Sequence, residues 1–160
     1  MIYSIENDFC FLHCPRTSGT ALSKSLQVLV PDAKMCILKK HCVYSELPRA
    51  IQGLRAFTIS RPLLEVRTSY HRYLTKWYRE NADGQMATRW LLEHAQRISQ
   101  MSLEEYLNSG EPPVSVDGYS HGCSAVFRYH DDPYDKIAEF CRVDARKLRL
   151  LMEVFRGVTS

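Results

Sequence analysis

The residues best suited to chemistry are Arg16, Thr17, Ser18, Gly19 and Thr20, a short polar turn between two apolar stretches. Before it, the run "DFCFLHC" from Asp8 to Cys14 reads as a buried strand that Pro15 stops, and after it Leu22, Leu26 and Leu29 recur at helical spacing. A strand feeding a helix through a small turn brings unpaired backbone amides and the positive end of the helix dipole to one point, where an anion is stabilised. The amides of Ser18, Gly19, Thr20 and Ala21 would point at that anion, and the hydroxyls of Thr17 and Thr20 can add hydrogen bonds. Two familiar cradles do not fit these residues. A nucleoside-triphosphate loop of the form G-x-x-x-x-G-K-[ST] needs a lysine after its glycine, whereas Gly19 is followed by Thr20 and Ala21. A cysteine phosphatase would use His13-Cys14 but needs an arginine six positions after the cysteine, where Thr20 stands. His13 and Cys14 are accordingly read as core residues at a strand end.

The elements that must hold this turn follow from pattern and composition. At 160 residues, 45% of them hydrophobic, the chain is expected to form a single domain over 1–160. Lys34 to Lys40 and Arg55 to Ser60 ("RAFTIS") are further strand candidates, and "SAVFRYH" from Ser124 is a late strand. Pro62 to Glu80 is predicted as one long helix with Leu63, Val66, Tyr70, Tyr73 and Trp77 on its apolar stripe. The stretch 132–155 is predicted helical with a break near Asp144. Alternation of strands and helices predicts an α/β fold with a parallel sheet.

The net charge of +3 is mild and no Lys/Arg block occurs, so neither nucleic acid nor a membrane is expected as a partner. With no apolar stretch of spanning length and no basic-then-apolar leader, a cytoplasmic location is expected. The six cysteines lack the paired C-x-x-C spacing of a zinc site and are expected to be buried free thiols, with a disulfide as the alternative and no metal bound.

Pro15-Arg16-Thr17-Ser18-Gly19-Thr20-Ala21-Leu22 resembles the P-K-[TS]-G-[GT]-T-x-L loop of sulfotransferases, enzymes that use 3′-phosphoadenosine 5′-phosphosulfate (PAPS). A second stretch, "FTISRPLLEVRTSYHRY", resembles the family's 3′-phosphate element, F-x-x-V-R-[DN]-P-x-x-R-x-x-S-x-Y, and keeps the eight-residue spacing between Arg61 and Ser69. Eight residues of helix turn through about 800°, which leaves the two roughly 80° apart and able to face one phosphate. "KKHCVYSELPRAI" is similar to the family's K-H-x-x-x-x-E-L stretch, with His41 where some carbohydrate sulfotransferases carry an acceptor-site histidine. A fainter likeness covers "SAVFRYHDDPYDKIAEF", where Arg128 and Tyr129 match I-x-R-[YF]-E-x-L. The likeness runs from Phe9 to about Tyr73.

The resemblance implies a three-layer fold, a short parallel sheet flanked by helices as in P-loop NTPases. It also implies sulfuryl transfer from PAPS to a hydroxyl-bearing small molecule or glycan, with 3′,5′-bisphosphoadenosine as product. His41 would be the base and Arg16 would meet charge on the leaving phosphate. Arg16, Thr17, Ser18, Gly19, Thr20, Ala21, Arg61 and Ser69 would hold the co-substrate. Departures stand beside these matches. Arg16 replaces the usual lysine and cannot donate a proton, Ser18 stands where glycine is common, Pro62 is one position early, Val66 takes the second arginine's place with Arg67 after it, and His71 replaces the tyrosine. A non-catalytic nucleotide- or sulfate-binding module remains an alternative, as does a nucleotide kinase.

Overall fold

The computed structural model describes residues 1–35, 42–81, 89–111 and 117–157. The chain is α/β, and its contacts gather into two compact units, Met1–Arg61 with Val116–Ser160, and Pro62–Ser115. No helix among the described residues is long and apolar enough to cross a membrane.

The first unit is built on a five-stranded sheet. Its strands are β1 (Ile2–Ser4), β2 (Phe9–Leu12), β3 (Lys34–Met35), β4 (Arg55–Ser60) and β5 (Ala125–Arg128), in the order β3-β1-β2-β4-β5. β2, β4 and β5 run parallel, as expected, but β1 is antiparallel to β2 and β3, so the sheet is mixed. The reason is local: β1 returns into β2 through a turn too short for a crossover. The carboxylate of Asp32 holds that turn, accepting from Ser4 Oγ (2.6 Å), Ile5 N (2.9 Å) and Glu6 N (3.1 Å).

Alternation along β2 explains why its sequence is apolar throughout. Phe9 and Phe11 enter one cluster with Phe57, Leu22, Leu26, Ile137 and Leu148, while Cys10 and Leu12 enter another with Met1, Cys42, Leu47 and Ile51. A strand covered on both faces has no polar positions to show. The first cluster is built from α1 (Gly19–Leu29), α5 (Tyr134–Cys141) and α6 (Ala145–Gly157), and Phe11 stacks on Phe57 with centroids 5.0 Å apart. The expected helix break falls at Arg142, which takes a left-handed φ of 55°. The five described cysteines, Cys10, Cys14, Cys42, Cys123 and Cys141, are free thiols.

The second unit contains α2 (Leu63–Asn81), α3 (Arg89–Ser99) and α4 (Leu103–Asn108). The buried side of α2 runs through Val66, Tyr70, Leu74 and Trp77, the 3.6-residue repeat, and leaves Leu63 and Tyr73 exposed, unlike the stripe expected from sequence. Ser102 caps α4 in a reciprocal box with Glu105. Arg67 Nη2 donates to the Tyr106 and Ser109 carbonyls at the end of α4, and a hydrogen bond of 2.9 Å joins His71 Nε2 to the Met101 carbonyl oxygen.

His94 of α3 is a buried titratable group in this unit. Its ring stacks on Trp90 (5.2 Å) and lies 6.3 Å from Tyr70. Its Nδ1 accepts from Arg97 Nη2 (3.3 Å) and lies 3.6 Å from Glu111 Oε2, while Nε2 is buried without a hydrogen-bond partner. Burial pushes the imidazole pKa below its ordinary 6.5 and the Arg97 charge adds to that, outweighing the opposing attraction of Glu111. The unfolded chain therefore binds a proton more readily than the folded one, and stability present above about pH 6.5 is lost as the pH falls toward the lower folded value. Urea unfolding followed by tryptophan fluorescence should show a midpoint that drops between about pH 7.5 and about pH 5, with a smaller drop in His94→Phe. An identical slope in that variant would remove His94 as the cause.

Candidate functional site: an anion cradle at the strand ends

The turn after β2 is shaped by two residues in the left-handed region, Arg16 (φ 62°) and Ser18 (φ 59°). Such conformations cost a non-glycine residue about 1–2 kcal/mol each and persist where surrounding contacts fix them. Two contacts do so here. The buried Thr17 hydroxyl donates to the Cys14 carbonyl at 2.8 Å, closing the turn on itself. The buried ring of His13, stacked on Phe11 at 6.0 Å, lies against the Cα of Gly19, where any Cβ would collide with it. Gly19 is thus required by close approach.

α1 begins at Gly19, and its first intrahelical bond runs from Leu22 N to the Ser18 carbonyl at 3.1 Å. Helical geometry therefore gives the amides of Gly19, Thr20 and Ala21 no acceptor within the helix. Ser18 makes no side-chain capping bond to them, and the first turn carries no acidic residue. A cap that stays off these amides, at the positive end of a three-turn helix, suits an oxyanion. Arg16 is exposed and Thr20 half-buried, whereas the Thr17 proton is directed into the loop.

Parallel pairing brings a second cation to the same place. β2 and β4 pair with Leu12 opposite Thr58, whose hydroxyl donates to the Leu12 carbonyl at 2.8 Å, so β4 ends two residues past β2 on the same side of the sheet. Arg61, just beyond β4, donates from Nη1 to the Arg16 carbonyl at 3.1 Å. β5 ends beside β4, with Ser60 opposite Arg128, and the Tyr129 ring that follows lies 4.8 Å from the Arg61 guanidinium carbon. Oxyanion ligands in α/β sheets sit at such strand C-terminal ends.

The structure thus joins the loop residues 16–21 to Arg61. Ser69 lies half-buried on α2 in the second unit, and His41 lies outside the described residues. Arg67, the nearest arginine to the family's second position, is used on the end of α4, and the His71 ring on the Met101 carbonyl. Cys14 is buried and its thiol pushed up to about 12, so it carries no thiolate for phosphatase chemistry. Sequence reasoning gave no role to Tyr129 or to the His13 wedge. The strand-end position of "RYH" was the available signal for the first, and nothing local announces the second. Among the described residues no group of His, Cys, Asp and Glu could hold a metal ion. Compared with known proteins, the chain matches no family model, no curated protein and no solved structure.

Two substitutions test the cradle's construction. Gly19→Ala should destabilise the protein by about 1–3 kcal/mol, the usual cost of overpacking, because the His13 ring has to move. Ser18→Gly should stabilise it by about 0.5–1 kcal/mol, since glycine adopts φ 59° without the Cβ cost but starts from a freer unfolded chain. Urea denaturation measures both, and a Gly19→Ala protein as stable as the wild type would mean that the wedge is absent.

Proposed function

We propose that this chain is a PAPS-dependent sulfotransferase of the three-layer, P-loop-like fold, passing a sulfuryl group to a hydroxyl acceptor of the carbohydrate class. The observation that carries the reading is Arg61 against the Arg16 carbonyl: two stretches that separately resemble PAPS-binding elements meet at one open helix N-terminus. The 5′-phosphosulfate would lie on the amides of Ser18 to Ala21 with Arg16 beside it, and Arg61 would take the 3′-phosphate. Ser69 joins that second set on the strength of the resemblance alone. The free thiols fit the reducing, cytoplasmic setting expected from the sequence.

In the reaction the acceptor oxygen attacks sulfur, the bond from sulfur to the 5′-phosphate oxygen breaks, and bisphosphoadenosine leaves. His41 would take the acceptor's proton, and Arg16 would stabilise the charge growing on the leaving oxygen. Sulfuryl transfer, like phosphoryl transfer, relies on in-line positioning and charge stabilisation more than on covalent catalysis.

Binding is the first test. Bisphosphoadenosine should bind and raise the melting temperature, and Arg61→Ala should weaken that binding by about 1.5–3 kcal/mol, the scale of a charged hydrogen bond. Unchanged affinity in that variant would put the 3′-phosphate elsewhere. Preference for ATP with magnesium would favour the kinase reading.

Turnover is the second, measured with labelled PAPS and a panel of sugars, phenols and short glycans. His41→Ala should leave bisphosphoadenosine binding intact and cut turnover about 10²–10⁴-fold, and wild-type activity should fall as the pH drops through the imidazole pKa. A His41→Ala enzyme with wild-type turnover defeats the base assignment. Binding without reaction on any acceptor makes the protein a binding module.

A further inference from the structure

Arg61 is a long side chain at the end of a strand, and such a side chain in water loses rotamer freedom when it grips a ligand. Here contacts within the first unit act on its guanidinium. Its central carbon lies over the Tyr129 ring, 4.8 Å from the centroid, and Nη1 meets the Arg16 carbonyl at 3.1 Å. That carbonyl belongs to a left-handed residue of the cradle. Tyr129 is itself held: half-buried directly after β5, it packs on the main core cluster and meets the His130 ring edge-on at 5.4 Å.

The geometry of a guanidinium makes this arrangement useful. Its N–H donors lie in the plane and bond oxyanions along the edge, while an aromatic ring covers the face, so stacking and anion binding do not compete. We propose that Tyr129 is a positioning residue, an aromatic shelf that holds the Arg61 guanidinium against the cradle so that its edge is oriented for an anion before the anion arrives. This rests on the reading of the loop as an anion site. It assigns the third parallel strand, β5, a part in binding through a residue that touches the arginine and need not touch the ligand.

The test is a double-mutant cycle read on affinity. Dissociation constants for 3′,5′-bisphosphoadenosine, inorganic pyrophosphate and sulfate are measured by calorimetry, well below the melting temperature, in wild type, Tyr129→Phe, Tyr129→Leu, Arg61→Ala and the Tyr129→Leu/Arg61→Ala pair. Tyr129→Leu keeps the apolar packing and should weaken anion binding about 3- to 10-fold, the scale of a cation–π contact. Tyr129→Phe should stay within about 2-fold of wild type, since the ring face is kept. Tyr129→Leu should add almost nothing once Arg61 is alanine. A merely structural tyrosine would lower the melting temperature and leave the cycle additive. Equal losses in the two backgrounds, or an unchanged affinity in Tyr129→Leu, overturn the proposal. Should Tyr129→Leu fail to fold, Arg61→Lys decides: it keeps the charge but not the plane, and wild-type affinity in that variant refutes the shelf. If the wild type binds pyrophosphate or sulfate but not the nucleotide, the PAPS reading falls and the shelf is judged on the anion that binds. If it binds none of the three, both fall.

Discussion

The parallel register between β2 and β4, Phe9–Leu12 against Arg55–Thr58, is the constraint on which the rest of the first unit depends. It stacks Phe11 on Phe57 at the centre of the main core, and it brings the C-terminal ends of the two strands to the same side of the sheet, where the turn after Leu12 and the arginine after Ser60 meet. A slip of one residue would turn every side chain of one strand to the opposite face. It would also shift Arg61 by about 3.3 Å along the strand axis, away from the Arg16 carbonyl. Core packing and site geometry are therefore fixed by the same ladder. The Thr58 hydroxyl on the Leu12 carbonyl reinforces that ladder at the end nearest the cradle.

The cradle is a strained turn held by neutral groups. Arg16 and Ser18 both occupy conformations that favour glycine, and the contacts that keep them there are a threonine hydroxyl and a histidine ring on an alpha carbon. No carboxylate enters the first turn of α1, and the buried Cys14 thiol stays protonated. Negative charge placed at this helix N-terminus would gain from the dipole.

In the second unit, α2 spends its polar side chains on its own neighbours. Arg67 closes α4 by donating to its last carbonyls and stacks on Tyr106 at 5.0 Å, while the His71 ring holds the Met101 carbonyl. Both residues stand within the stretch that resembles the 3′-phosphate element, so part of that stretch builds helix packing and not a ligand site. This is the ordinary fate of an arginine whose reach includes a helix C-terminus, since the orphan carbonyls there need donors.

The sequence by itself determined the elements. A continuous apolar run for a strand covered on both faces, proline before the long helix and a break near Asp144 are local patterns with local causes, and they appear at or close to the expected residues. The strand–turn–helix unit around Gly19 was legible for the same reason, because a turn that must admit close approach selects small and polar residues. Only the tertiary structure decided what those residues meet. That β1 folds back antiparallel, that the stripe of α2 centres on Leu74, that His13 rather than a ligand excludes a side chain at Gly19, and that Arg61 lies between the Arg16 carbonyl and Tyr129 all depend on strand order and register. Those are set by contacts between residues far apart in the chain, and no spacing within one segment carries them.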